Sequence, residues 1–191
     1  MNYTLFQLIN GVAGRFDGID DIMEFCAQDL IWVMLALLAL LWLTGKTANQ
    51  KLVFFSCLSA AVSLLIAGLV ISPEVGHARP FVDHAVHQLI PHAPDASFPS
   101  DHSTFAFSVA FVLLFARRKT GWLMLALAAV TGFARVYVGV HYPGDILGAM
   151  ALSLVVSYGV WKTSGRLDAL PNFFIRVYRK LTSRLSFLPH P

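Results

Sequence analysis

Apolar residues along this chain gather into five runs, at about 27–45, 52–72, 101–116, 122–139 and 145–161, divided by short polar segments. A helix crossing a bilayer needs roughly 20 mostly apolar residues, with about 17–25 as the working range. The second and fourth runs meet that length comfortably. The third and fifth are shorter, and both begin at an acidic residue near a histidine. Such helices either start below the membrane surface in a polar pocket or have flanking side chains that snorkel to it. Ahead of the runs, segments 4–9 and 19–25 read as short interfacial helices broken at Gly11 and Gly14. Residues 1–25 lack a basic start followed by an apolar core, so they do not read as a secretory signal. The pattern predicts an all-α, polytopic membrane helical bundle of about five transmembrane helices, with short interfacial helices at both ends. It is read as a single domain over 1–191. Residues 1–26 form the interfacial segment, 27–161 the transmembrane core and 168–187 a basic amphipathic helix.

Composition agrees with the pattern. Of 191 residues, 57% are hydrophobic and 13% charged, and the mean hydropathy is +0.65. A soluble domain carries roughly 25% charged residues, so an ordinary cytosolic domain, a disordered chain and a nucleic-acid binder are excluded. Cys26 and Cys57 by themselves make neither a disulfide framework nor a zinc site.

Charge placement sets an orientation. Eleven of the 14 Lys and Arg residues follow the first, third and fifth runs: Lys46, Lys51, Arg117, Arg118, Lys119, Lys162, Arg166, Arg176, Arg179, Lys180 and Arg184. All the acidic residues except Asp168 fall on the other side or at its helix ends. The positive-inside rule then puts the amino terminus outside and the carboxyl terminus in the cytoplasm. In the tail, Phe174, Val177, Tyr178, Leu181 and Leu185 alternate with the basic residues at helical spacing. That is the pattern of a helix lying on an anionic inner leaflet, with membrane lipids as its partner and no nucleic acid.

The chemistry collects on the outer face. Arg135 lies inside the fourth run, where an ionisable side chain is costly unless it meets a partner or a wet cavity. His141 follows six positions later and Asp145 four beyond that, across Pro143-Gly144, which breaks the helix. The 73–99 loop is too long for a simple connector. It carries Arg79-Pro80 near its start and leads into Pro99-Ser100-Asp101-His102, where Ser100 suits a helix N-cap. Free N–H groups there, with Arg79 and Arg135, make a site for phosphate oxygens. Two arginines, a helix terminus, two histidines and a carboxylate suggest phosphoryl transfer: one His attacks, the carboxylate orients it, and the other His donates a proton. His84 and His87 would share one helical face, but no Cys or tight carboxylate pair joins His77, His84, His87 and His92, so a metal site is disfavoured.

Arg79-Pro80, Pro99-Ser100-Asp101-His102 and Arg135 with His141 and Asp145 resemble the three signature motifs of the type 2 phosphatidic acid phosphatase superfamily. The run from Arg79 through Leu89-Ile90-Pro91-His92 to Ala96-Ser97-Phe98-Pro99-Ser100-Asp101-His102 is similar to the bacitracin-resistance (BcrC-type) branch of undecaprenyl pyrophosphate phosphatases. The resemblance implies that His141 is the nucleophile forming a phosphohistidine, oriented by Asp145, and that His102 is the general acid. Arg79, Arg135 and the segment Pro99, Ser100 and Asp101 would bind phosphate. It further implies a polyprenyl diphosphate lipid substrate, an outer-face site in the bacterial cytoplasmic membrane, and no metal or other cofactor. Three positions depart from the family pattern: Ser72 where a Lys is usual, Asp101 for Gly, and Ala134 for Ser. A sister phosphatase acting on phosphatidate or phosphatidylglycerophosphate, or a non-enzymatic transport subunit, are the alternatives. The second is disfavoured because the middles of runs one, two, three and five hold no ionisable residue.

Overall fold

The computed structural model describes residues 1–116 and 118–183. Every regular element among them is helical. In chain order they are α1 (Asn2–Asn10), α2 (Asp17–Gln28), α3 (Leu30–Leu43), α4 (Thr47–Ile66), a π-helical turn (Ala67–Ile71) running into α5 (Ser72–Val75), α6 (Pro80–Asp83), α7 (Asp101–Phe115), α8 (Lys119–Tyr137), α9 (Pro143–Thr163) and α10 (Ala169–Thr182). Arg117, Arg184, Leu185 and the end of the expected tail helix lie outside the described residues.

Three helical stretches are long and apolar enough to cross a membrane: Thr47–Asp83, Lys119–Tyr137 and Pro143–Thr163. Helices α2 and α3, bent by 51°, form a fourth when counted together. By length and composition three to four helices qualify, and the run at 101–116 is the apolar but shorter, 15-residue α7. Its length has a physical reason. Helix α7 packs against α4, α8 and α9, and Ala106, Phe107, Val109, Ala110, Val112 and Leu113 are all buried. A helix apolar all round and enclosed by other helices belongs to the core. The outer helices instead expose large apolar side chains, among them Leu40, Leu69, Trp122 and Val155.

Small residues let the helices close on α7. A Cβ on Gly121 of α8 would stand 2.7 Å from the Leu114 backbone nitrogen. Between α4, α7 and α9 runs a seam of buried hydroxyls. Ser59 Oγ is 2.8 Å from Ser157 Oγ, and Ser108 Oγ lies 2.9 Å from Ser63 Oγ and 3.1 Å from Ser153 Oγ. Ser153 and Ser157 donate to the carbonyls of Thr104 and Ser108. Small polar residues at helix contacts in lipid allow close approach and satisfy their own hydroxyls.

At one end of the bundle a buried Asn10 ties three segments together. Its Nδ2 donates to the carbonyls of His87 (2.7 Å) and Tyr137 (2.8 Å), and its Oδ1 accepts from His87 N (3.0 Å). Leu89 N donates to Val138 O at 3.1 Å. The 84–100 segment is thereby held over the junction of α8 and α9. At the opposite end, α10 docks on α4 through Lys51–Asp168 (2.6 Å), Arg179 to Gln50 Oε1 (3.2 Å) and Phe54 against Phe174.

Candidate active site

Helix α8 stops at Tyr137, and the chain turns at Gly139, whose φ of +85° suits glycine. A Cβ there would also stand 2.6 Å from His87 O. Pro143 restarts the helix at its first turn, where its missing N–H costs nothing. His141 lies between the two helices, 1% exposed. Asp145, four residues on, accepts from Tyr142 N at 2.8 Å and faces His141 Nδ1 at 3.3 Å through the same Oδ2. Ser97 Oγ donates to that oxygen too and sits 3.3 Å from His141 Nδ1.

The other face of the imidazole meets two guanidiniums. Arg79 Nη1 is 3.0 Å from Nε2 and Arg135 Nη2 is 3.5 Å from it. A guanidinium only donates and an ionised carboxylate only accepts. The partners therefore dictate the tautomer: Nδ1 carries the proton toward Asp145, and Nε2 turns a lone pair toward the arginines. Burial lowers the pKa of His141 to about 3, and the charges of Arg135 and Arg79 add to the fall, against the opposing Asp145 hydrogen bond. The ring is neutral at ordinary pH, as a nitrogen nucleophile must be.

The two arginines differ in what they have left to give. Arg79 donates from Nε to Asp95 Oδ1 (2.8 Å), from Nη1 to Val140 O (3.0 Å) and from Nη2 to Ala96 O (3.3 Å). Arg135, 2% exposed, makes only long contacts, to Ala27 O (3.4 Å) and His141, and its Nε has no partner among the described residues. Ser100 caps α7 as expected, its Oγ accepting from Ser103 N at 3.4 Å, with Pro99 buried beside it. Asp101 is exposed and His102 half-buried in the first turn of α7, neither side chain hydrogen-bonded to another described residue.

The structure thus joins His141, Asp145, Arg79 and Arg135 directly, while Pro99, Ser100, Asp101 and His102 stand at the adjoining helix start. Ser97 and Asp95 were not singled out from sequence. The one available signal was a hydroxyl at Ser97 between Ala96 and Phe98. His77 also borders the site, its Nδ1 facing Asp145 Oδ1 at 3.6 Å. The expectation that His84 and His87 share a helical face fails, because α6 ends at Asp83 and the chain runs on extended. His84 stacks on Tyr3 instead, ring centroids 3.9 Å apart. His92 sits with its ring centroid 6.2 Å from that of His141. Burial holds the His92 pKa below the usual imidazole range, and the Arg79 and Arg135 charges push the same way.

Known proteins are similar to this chain in sequence and in fold. The undecaprenyl-diphosphatase BcrC of Bacillus subtilis is 36% identical over 189 residues, covering 99% of this chain and 97% of its own. The putative undecaprenyl-diphosphatase YbjG of Escherichia coli is 37% identical over 86% of this chain and 85% of its own. The crystal structure of Aquifex aeolicus LpxE superimposes with a TM-score of 0.67 at 24% identity, over 84% of this chain and 94% of that one. The family model of the PAP2 superfamily matches residues 52–168, which hold every charged group of the His141 cluster, and this chain belongs to that superfamily.

Proposed function

We propose that this protein is an undecaprenyl-diphosphate phosphatase, hydrolysing undecaprenyl diphosphate to undecaprenyl phosphate and inorganic phosphate at the outer face of the bacterial cytoplasmic membrane. The observation that carries the chemistry is the two-sided setting of His141, with an acceptor carboxylate on Nδ1 and two guanidiniums facing Nε2. The substrate assignment is supported by the 36% identity, over nearly the whole chain, to a relative named for that activity.

In the first step the Nε2 lone pair of His141 attacks the terminal phosphorus. The bond from that phosphorus to the bridging oxygen breaks, and undecaprenyl phosphate leaves with a proton from His102. Asp145 keeps the Nδ1 proton and balances the positive ring of the phosphohistidine. Arg135, Arg79 and the N–H groups at the start of α7 hold the non-bridging oxygens, where charge builds up. Water then attacks the phosphohistidine, gives its proton to His102 and releases inorganic phosphate. Turnover recycles the carrier lipid of cell-wall glycans and removes the diphosphate form that bacitracin targets, giving resistance. Support for the outer face comes from charge: Lys46, Lys51, Arg118, Lys119, Lys162 and Arg166 cluster at the helix ends opposite His141.

The test is phosphate release by purified protein in detergent with excess EDTA, from undecaprenyl diphosphate and from phosphatidate. The expected result is EDTA-resistant release favouring the polyprenyl substrate. Release from phosphatidate alone would move the protein to phospholipid metabolism, and release stopped by EDTA would overturn the histidine mechanism.

A further inference from the structure

The mechanism above needs only one phosphate of the substrate, yet a diphosphate brings two. In-line displacement fixes where the second must go. The attacked phosphorus sits about 3–3.5 Å from the attacking nitrogen, and the leaving oxygen lies on its far side, in line. The second phosphate therefore projects away from His141 Nε2, and the rim of the site beside that ring is the 84–100 segment, through Ser97 and His92.

His92 is the side chain on that rim with the chemistry to meet it. Its ring stands edge-on to His141, centroids 6.2 Å apart at an interplanar angle of 75°. Its Nδ1 is committed locally, 3.1 Å from Ala93 O and 3.6 Å from Asp95 Oδ1. Both are acceptors, so Nδ1 carries the proton and Nε2 is left for a ligand. The side chain is 22% exposed, accessible yet fixed. The same Asp95 Oδ1 accepts from Arg79 Nε at 2.8 Å, so one carboxylate sets both the arginine at the attacked phosphate and the histidine beyond it.

Resting on the reading that this site takes a polyprenyl diphosphate, we propose that His92 binds the second, lipid-linked phosphate through Nε2, with Asp95 as its positioning residue, and that this contact distinguishes diphosphates from monophosphates. Nε2 and the phosphate oxygen share one proton, brought by the protonated phosphate or taken from solvent. No covalent step is involved.

The experiment compares two inhibitors of undecaprenyl diphosphate turnover in the wild type and in His92→Gln. Inorganic phosphate fills the attacked position alone, whereas methylenediphosphonate fills both and cannot be hydrolysed. A charge-assisted hydrogen bond carries about one to two orders of magnitude in affinity. His92→Gln is expected to raise the inhibition constant of methylenediphosphonate about tenfold or more while that of phosphate moves less than about twofold. An unchanged phosphate constant also shows that the His141 site is intact. Equal shifts for both inhibitors, or no shift for either, overturn the proposal. Wild-type protein that leaves undecaprenyl diphosphate uncleaved overturns the functional reading instead, so the two failures are distinguishable.

Discussion

Replacing Asp145 by Asn changes one atom and removes one charge from the most heavily bonded oxygen of the site. Oδ2 receives Tyr142 N–H at 2.8 Å, the Ser97 hydroxyl and His141 Nδ1–H at 3.3 Å. The amide oxygen of Asn fits the same place and keeps these three donors, so the fold survives. What is lost is the charge that, in the proposed mechanism, opposes the positive ring formed as His141 takes up phosphorus. At about 4 Å and an effective dielectric near 20, a full charge pair is worth about 4 kcal/mol. The neutral hydrogen bond that Asn retains offsets about 1 kcal/mol of this. The remaining 3 kcal/mol or so corresponds to about two orders of magnitude in kcat. KM is expected to hold within about threefold, because the phosphate is gripped from the Nε2 side. The assay is phosphate release at saturating substrate, with single-turnover rates and gel filtration to confirm folding. A folded variant whose kcat stays within threefold of wild type, or whose loss falls in KM alone, would refute the charge-balancing role of Asp145.

Two further outcomes follow from the buried groups. The folded pKa of His141 is depressed to about 3, burial being the main cause. The unfolded chain therefore binds a proton that the native ring does not from about pH 6.5 downward, and stability present above that pH is lost as pH falls toward 3, with a limiting slope of about 1.4 kcal/mol per unit. Thermal midpoints in detergent between pH 7.5 and 5 are expected to fall more steeply for wild type than for His141→Gln, and equal slopes would contradict a buried neutral imidazole. Ser108→Ala removes the centre of the hydroxyl seam. It is expected to cost only about 0.6 kcal/mol, and less than about 2, since Ser153 keeps its bond to Thr104 O. A larger loss in an unfolding titration would mean that the seam is more than close packing.

Much of the bundle was legible because apolar runs mark helices in lipid whatever their partners. The runs at 122–139 and 145–161 match α8 and α9 closely. The role of the third run was less legible, since enclosure by protein and enclosure by lipid demand the same apolar surface. Only the 15-residue length of α7 separates the two cases. The serine seam did leave a trace, because Ser59 and Ser63, and Ser153 and Ser157, recur at the i, i+4 spacing of one helical face. The bend between α2 and α3 left none of that kind.

In the site, spacing revealed what is local and hid what is not. His141 and Asp145 are neighbours through a single helix start, so their sequence interval nearly determines their geometry. Ser97 reaches the same oxygen from 48 residues away, and Asp95 reaches Arg79 across 16, distances at which the chain imposes no direction. The arginines show the limit most clearly. Each precedes a motif position in the sequence and each reads as a phosphate donor, yet donor accounting separates them. Arg79 is framed by Asp95, Ala96 O and Val140 O, so its guanidinium is already positioned before any substrate arrives. Arg135 is buried with an unpartnered Nε and two long contacts. A charge in that condition is costly until an anion joins it. In the proposed reaction a phosphate anion would relieve that cost, which makes Arg135 the guanidinium with the most to gain from it, while Arg79 is held where it would set the position of that phosphate.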